Sequence, residues 1–119
     1  MLLGLAPAHA KRVKIHKTHF EEVGIASWYG GFHKGRKTFS EEIFDPQANT
    51  CAHRTLPMHS IVEVKDIKTG NSILCRVNDR GPFVSGRIVD LSQKCAERLG
   101  ITNKGIVKVT LKVLRVGPL

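Results

Sequence analysis

The 119 residues suffice for one domain with a modest core and exclude a second domain of ordinary size. A hydrophobic fraction of 41% with 11 Gly and few aromatics suits short strands and tight turns, and no window approaches the ~20 apolar residues that a membrane span requires. The formal charge of +9, from 19 Lys and Arg against 10 Asp and Glu, favours polyanionic partners such as nucleic acid, anionic lipid surfaces or an acidic wall polymer.

Residues 1–20 read as a basic leader, carrying Lys11, Arg12, Lys14 and Lys17 and no acid. Its apolar opening ends in Ala8-His9-Ala10, the small-residue pattern that precedes a secretory cleavage site. A basic n-region is missing and Lys11-Arg12 follow the cut directly, so a shortened signal peptide and an unstructured tail both fit. From Glu21 the composition changes, and one domain is expected over residues 21–116. Val23 to Tyr29 alternates weakly and stops at Gly30-Gly31, as a strand entering a loop does. Phe32 to Asn49 has neither a helical nor a strand period; with Gly35, Ser40, Asp45 and Pro46 it predicts an ordered, functional loop.

Ile61 to Lys65 and Ser72 to Val77 flank Asp66 to Asn71, where Lys68-Thr69-Gly70-Asn71 supplies the turn chemistry of a hairpin. Ile88 to Leu91 predicts a short strand. Ser92 then caps a helix through Leu99, with Gly100 as its left-handed stop and Cys95, Ala96 and Leu99 on the buried face. In the last element Val107, Val109, Leu111 and Val113 alternate with Lys108, Thr110 and Lys112, giving one dry and one wet face. Short strands, irregular loops and a single helix predict a mainly β chain folded as a small barrel, because closure removes exposed sheet edges.

Cys51, Cys75 and Cys95 contain no C-x-x-C pair and leave one thiol over, which argues against a disulfide framework or zinc site and for buried thiols. In an exported protein, Cys51 with Cys75 is the first pairing to test. His33, His53 and His59 lack metal-ligand spacing, and no serine elbow is present, so neither a metal nor another cofactor is expected.

The polar residues that strand alternation does not explain fall in Thr38 to Asp45, Thr50 to Pro57 and Val77 to Phe83. They offer Glu41 or Glu42, His53 and Asp79 as proton carriers, on three loops that can meet at one rim. Two carboxylates and an imidazole divide acid and base roles when their surroundings separate their pKa values, as glycosidic cleavage demands. The plain alternatives are a solvated Glu41-Glu42 loop, a turn with a local Asp79-Arg80 ion pair, and a histidine that fixes a loop. Trp28, Tyr29 and Phe32 are either core packing or a sugar-stacking platform.

The stretches GIASWYGGFHKGRKTFSEEIFD, TCAHRTLP, VNDRGPFVSGRIVDLS and CAERLG, in this order and spacing, resemble the double-psi β-barrel domain of the rare lipoprotein A family over about Gly24 to Leu114. The resemblance implies a six-stranded double-psi barrel related to expansin and barwin domains. It also implies lytic transglycosylase action on peptidoglycan glycan strands, which some members prefer stripped of stem peptides. The bond broken joins N-acetylmuramic acid to N-acetylglucosamine, without water, leaving a 1,6-anhydro end. The family's functional residues fall on Glu42, His53 and Asp79, with Trp28, Tyr29, Asn78 and Arg80 as substrate-binding candidates and Pro82 fixing the turn. Asp79 would donate a proton and then help remove one from the sugar's C6 hydroxyl; Glu42 would stabilise positive charge or share the base role. His53 would orient a carboxyl. Which of Asp79 and Glu42 donates the proton stays open from sequence.

Two features depart from the family. Glu41 stands at its usual glycine position, which matters because glycine reaches backbone angles other residues resist. No lipobox cysteine lies near the amino terminus, so the resemblance implies export to the periplasm or envelope without support for a lipid anchor. A monomer is expected. The rival readings are an expansin-like barrel that binds wall polymer without cleaving it and a cationic nucleic-acid barrel. Charge is the only support for the latter, and no nucleic-acid partner is expected.

Overall fold

The computed structural model describes residues 20–29 and 33–118. The leader except Phe20, and Gly30, Gly31 and Phe32, lie outside the described residues, and with them the stacking role considered for Phe32. The elements in chain order are β1 (Glu21–Trp28), β2 (Thr50–Ala52), β3 (Ile61–Asp66), β4 (Ser72–Asp79), β5 (Arg87–Leu91), α1 (Gln93–Leu99) and β6 (Ile106–Arg115). The strands close into one barrel in the order β1-β5-β2-β4-β3-β6, the expected six-stranded architecture with one short helix.

Two of the six ladders, β1 with β5 and β2 with β4, are parallel, and the others are antiparallel. The β3–β4 hairpin follows the turn chemistry read from the sequence: Asp66 Oδ1 accepts from the N–H groups of Lys68 (2.9 Å) and Thr69 (3.3 Å), and Gly70 takes φ +81°. In β6 the dry face is Val109, Leu111 and Val113, all buried, while Lys108 and Lys112 are exposed. Serine and glycine bound α1 as expected. Ser92 Oγ accepts from Cys95 N, and Gly100 at φ +84° closes the last turn onto the carbonyls of Ala96 and Glu97.

β2 was not foreseen as a strand. Its three residues are all buried, so it carries no alternation, and it is held between β4 and β5 by long-range pairing alone. The core gathers Val62, Val64, Val77, Val89, Leu91, Val109 and Leu111 from the strands, with Leu99 from the helix and Ile101 just after it. Phe20 and Trp28 pack against this cluster and are partly buried. At Gly24 an added Cβ would lie 2.6 Å from Ile88 Cγ2, so the close approach of β1 to β5 requires glycine there.

Leu111 is fully buried on β6, opposite Val64 of β3 and Glu22 of β1. Truncating Leu111→Ala removes packing at the closing seam and is expected to cost about 2–5 kcal/mol. The check is urea unfolding, where the midpoint should fall with little change in slope.

Candidate active site

From His33 onward the long β1–β2 connection bonds to itself and then to the end of β4. Phe44 N donates to Arg36 O (2.7 Å) and Thr38 N to Glu42 O (2.8 Å), with Glu41 N closing a turn onto Thr38 O (2.9 Å). Phe44 is buried, and its ring packs on Tyr29 at 4.8 Å between centroids. Ser40 N then donates to Asn78 O (3.1 Å), and Phe39 N to Asp79 Oδ1 (3.0 Å). These bonds carry Glu42 to the mouth formed by Asn78 and Asp79. Glu41 sits at φ 72°, in the left-handed region. The position that the family resemblance marks as glycine therefore keeps the glycine conformation with an L side chain on it.

Glu42 meets Arg76, whose alternating position on β4 gives no sign of this role. Arg76 Nη1 lies 3.0 Å from Oε2 and 3.1 Å from Oε1, and Asn78 Nδ2 donates to Oε1 at 3.1 Å. Partial burial pushes the carboxyl's pKa up, but the hydrogen bonds from Arg76 and Asn78 and the arginine's charge outweigh it, leaving Glu42 below its ordinary value. Glu42 is thus a carboxylate at neutral pH. The other face of the Arg76 guanidinium nitrogen is 3.0 Å from His59 Nδ1.

Asp79 is half-buried at the end of β4. Its Oδ1 accepts from the backbone N–H groups of Phe39 (3.0 Å) and Arg80 (2.9 Å); among the described residues no hydrogen bond reaches Oδ2. The carboxyl is therefore oriented through one oxygen and presents the other. Arg80 turns the opposite way, donating from Nη1 to the carbonyls of His53 (3.2 Å) and Leu56 (2.8 Å) while its guanidinium lies over the Phe39 ring at 4.9 Å. Arg54 braces the following loop through the carbonyls of Pro82 (3.0 Å) and Arg87 (2.7 Å). The Gly81–Pro82 bond within that loop is cis.

His53 is joined to Asp79 through the main chain, His53 N donating to Asp79 O at 3.1 Å. Its ring points elsewhere. Nδ1 accepts from Thr55 N and Leu56 N, both at 3.1 Å, so the ring proton resides on Nε2, which faces Glu22 Oε1 at 2.7 Å. The carboxyl that His53 orients is thus Glu22 on β1, also unforeseen, and the ring itself is buried.

The remaining candidates divide. Asn78 is buried, with its amide nitrogen on Glu42 and its Oδ1 without a partner among the described residues. Trp28 packs on the core, and Tyr29 lies between Phe44 and His33 with its hydroxyl buried. Burial raises the Tyr29 phenol's pKa, keeping it neutral. The exposed aromatics near the mouth are instead Phe39 and Phe83, at 62% and 79% exposure. Their exposure could not be read from sequence, because neither breaks a pattern. Among the described residues no group of three or more His, Cys, Asp or Glu could hold a metal ion.

A closed six-stranded barrel of mixed ladders, with two carboxylates on its loop-built mouth, defines the class: a double-psi β-barrel of the lytic transglycosylase kind. The chain belongs to the family described as "Lytic transglycolase", which matches residues 21–111. It is similar to the endolytic peptidoglycan transglycosylase RlpA of Neisseria meningitidis, 47% identical over 98 residues that cover 82% of this chain and 41% of the relative. The protein of that name from Helicobacter pylori strain J99 is 47% identical over 94 residues, covering 79% and 30% respectively. The chain thus spans less than half the length of these relatives. Among solved structures, the Streptomyces papain inhibitor aligns with a TM-score of 0.67 at 23% identity, over 82% of this chain and 97% of that one. A Clavibacter michiganensis expansin in complex with cellohexaose aligns with a TM-score of 0.64 at 19% identity, over 83% and 54%. At these identities the two structures share the fold.

Two substitutions examine the mouth. Glu41→Gly relieves about 1–2 kcal/mol of left-handed strain and returns about 0.4–1 kcal/mol to the unfolded chain as entropy. A net gain of about 0.5–1 kcal/mol is expected in denaturant unfolding. The pKa of Glu42 is lowered on folding, so its stabilising contribution is present above the ordinary carboxyl value of 4.5 and is lost as pH falls through the lower, folded value. Glu42→Gln should therefore flatten the acid side of the thermal stability profile below about pH 4.5, while a variant as steep as wild type there would show that Arg76 does not hold the charge.

Proposed function

We propose that this barrel is the catalytic domain of an endolytic peptidoglycan transglycosylase that cleaves the bond between N-acetylmuramic acid and N-acetylglucosamine and leaves a 1,6-anhydro end. Family membership and the names of the relatives support the reaction class. The observation that carries the reading is the contrast between the two mouth carboxyls: Glu42 held anionic by Arg76 and Asn78, and Asp79 fixed through Oδ1 with Oδ2 open to the mouth.

That contrast supports the following division of roles. Asp79 in its acid form protonates the glycosidic oxygen as the bond to C1 breaks. The departing sugar takes that proton, and positive charge develops at C1 and the ring oxygen. Glu42, already a carboxylate, lowers the energy of this charge electrostatically. The C6 hydroxyl oxygen of the same muramic acid then bonds to C1, and its proton returns to Asp79, which restores the acid. No water and no enzyme nucleophile enter the cycle. His53 acts through the chain: with Glu22 it fixes the loop whose carbonyls hold Arg80, and Arg80 fixes the loop of Asp79. The exposed Phe39 and Phe83 rings, rather than Trp28 and Tyr29, offer faces against which sugar rings can stack.

The charge of +9 suits an anionic wall polymer. Among the described residues no helix is long and apolar enough to cross a membrane. An exported protein acting in the periplasm or cell envelope fits this substrate. Glycan strands freed of stem peptides would enter the open mouth with least obstruction.

Purified sacculi decide the reading. Wild type should release anhydro-muropeptides and Asp79→Asn should reduce the rate by about 10²-fold or more, the scale of a lost general acid. Equal release would overturn the role of Asp79. Co-sedimentation of wild type with sacculi and no soluble products would instead identify a wall-binding barrel.

A further inference from the structure

Beneath the mouth lies a cluster that the proposed reaction does not use. Cys51 of β2, Cys75 of β4 and Cys95 of α1 are all free thiols and all buried, at 0%, 2% and 0% exposure. The Sγ atoms of Cys75 and Cys51 are 2.7 Å apart. Cys51 is the register partner of Val77, two residues beyond Cys75 on the same strand, so alternation turns Cys51, Cys75 and Val77 toward the same dry interior. Cys95 interacts electrostatically with Cys75 as well, so Cys75 has both other thiols as neighbours.

We propose that Cys51 and Cys75 form a disulfide that staples β2 to β4, with Cys95 remaining a free thiol. The oxidant is a second disulfide, small-molecule or protein-borne. A thiolate of the pair attacks it to form a mixed disulfide and expel one thiol; the other cysteine then displaces the second. Two thiols of this chain are oxidised, one external disulfide is reduced to two thiols, and the electrons balance. The exchange takes place before the barrel has closed, because all three sulfurs are shielded in the folded state. Burial also holds the Cys75 thiol well up in pKa once folded, so the completed barrel protects whichever state it encloses.

The location gives the bond its effect. Cys51 is two residues before His53 and Cys75 four before Asp79, so the cross-link joins the two strands that deliver these side chains to the mouth. It closes a loop between positions 24 apart, a span at which chain-entropy stabilisation is substantial. Cys51 and Cys95 compete for the same Cys75 sulfur, and geometry favours the strand pair because the β2–β4 ladder already holds those two sulfurs together.

The test uses the whole chain, purified under reductant and then equilibrated with oxidised glutathione at the urea midpoint before return to buffer. Alkylation in denaturant should count one reactive thiol instead of three, and a non-reducing peptide map should join Cys51 to Cys75. The oxidised protein should melt roughly 10–20 °C above the reduced one. Cys95→Ala should keep both the bond and the shift. Three reactive thiols, a mapped Cys75–Cys95 bond, or a bond without a rise in melting temperature would each overturn the proposal. Comparing oxidised with reduced wild type needs no variant to fold, and none of these readouts depends on glycan cleavage.

Discussion

The parallel ladder between β2 and β4 is the constraint on which the mouth depends, because one short strand there must hold position for two loops. Thr50 pairs with Arg76 and Ala52 with Asp79, so Arg76, Asn78 and Asp79 leave β4 alongside His53 as it leaves β2. A three-residue strand supplies few hydrogen bonds of its own, and β2 is kept in place by being sandwiched, with β5 on its other edge. The register shift between Cys51 and Ala52 then aims His53 away from Asp79 and toward β1. The main-chain bond from His53 to Asp79 survives that turn and ties the two loops together.

The arginines at this mouth do different work, and magnitudes separate them. Arg76 and Glu42 are each about a third exposed, at 33% and 36%, where an ion pair stabilises a fold by at most about 1 kcal/mol. Its consequence is chemical, since it keeps the Glu42 carboxyl charged before any substrate arrives. Arg80 instead satisfies two backbone carbonyls and covers an aromatic face, and charged hydrogen bonds of this type contribute about 1.5–3 kcal/mol each. Arg80 therefore braces the loop that follows β4 against the 53–56 segment. Neighbouring residues of opposite charge need not pair: here the Asp79 carboxyl takes the Arg80 amide while the guanidinium bonds elsewhere.

Much of this architecture could be read from the residues, for local reasons. The alternation of β6 reports a strand with one wet face, Ser92 and Gly100 mark the ends of α1, and the Asp66 to Asn71 turn announces its hairpin. Each of these signals lies within a few residues of the element it specifies. The motifs around Glu42, His53 and Asp79 also pointed to loops that do meet at one rim through backbone bonds. β2 was illegible because three buried residues have no period. Glu22 was illegible as the partner of His53 because 31 positions separate them and only closure of the barrel brings them together. Arg76 looked like any polar residue on the wet side of a strand, and nothing local showed that the 38–42 turn folds over it.

Closure of the sheet has a consequence for how the protein can be approached. Among the described residues each strand already has two hydrogen-bonded neighbours, which leaves no open sheet border there on which an incoming peptide could lie as an additional strand. Recognition is left to side chains and to the ends of loops. A ligand without a peptide backbone loses nothing by this restriction, whereas an extended polypeptide is denied attachment by strand addition.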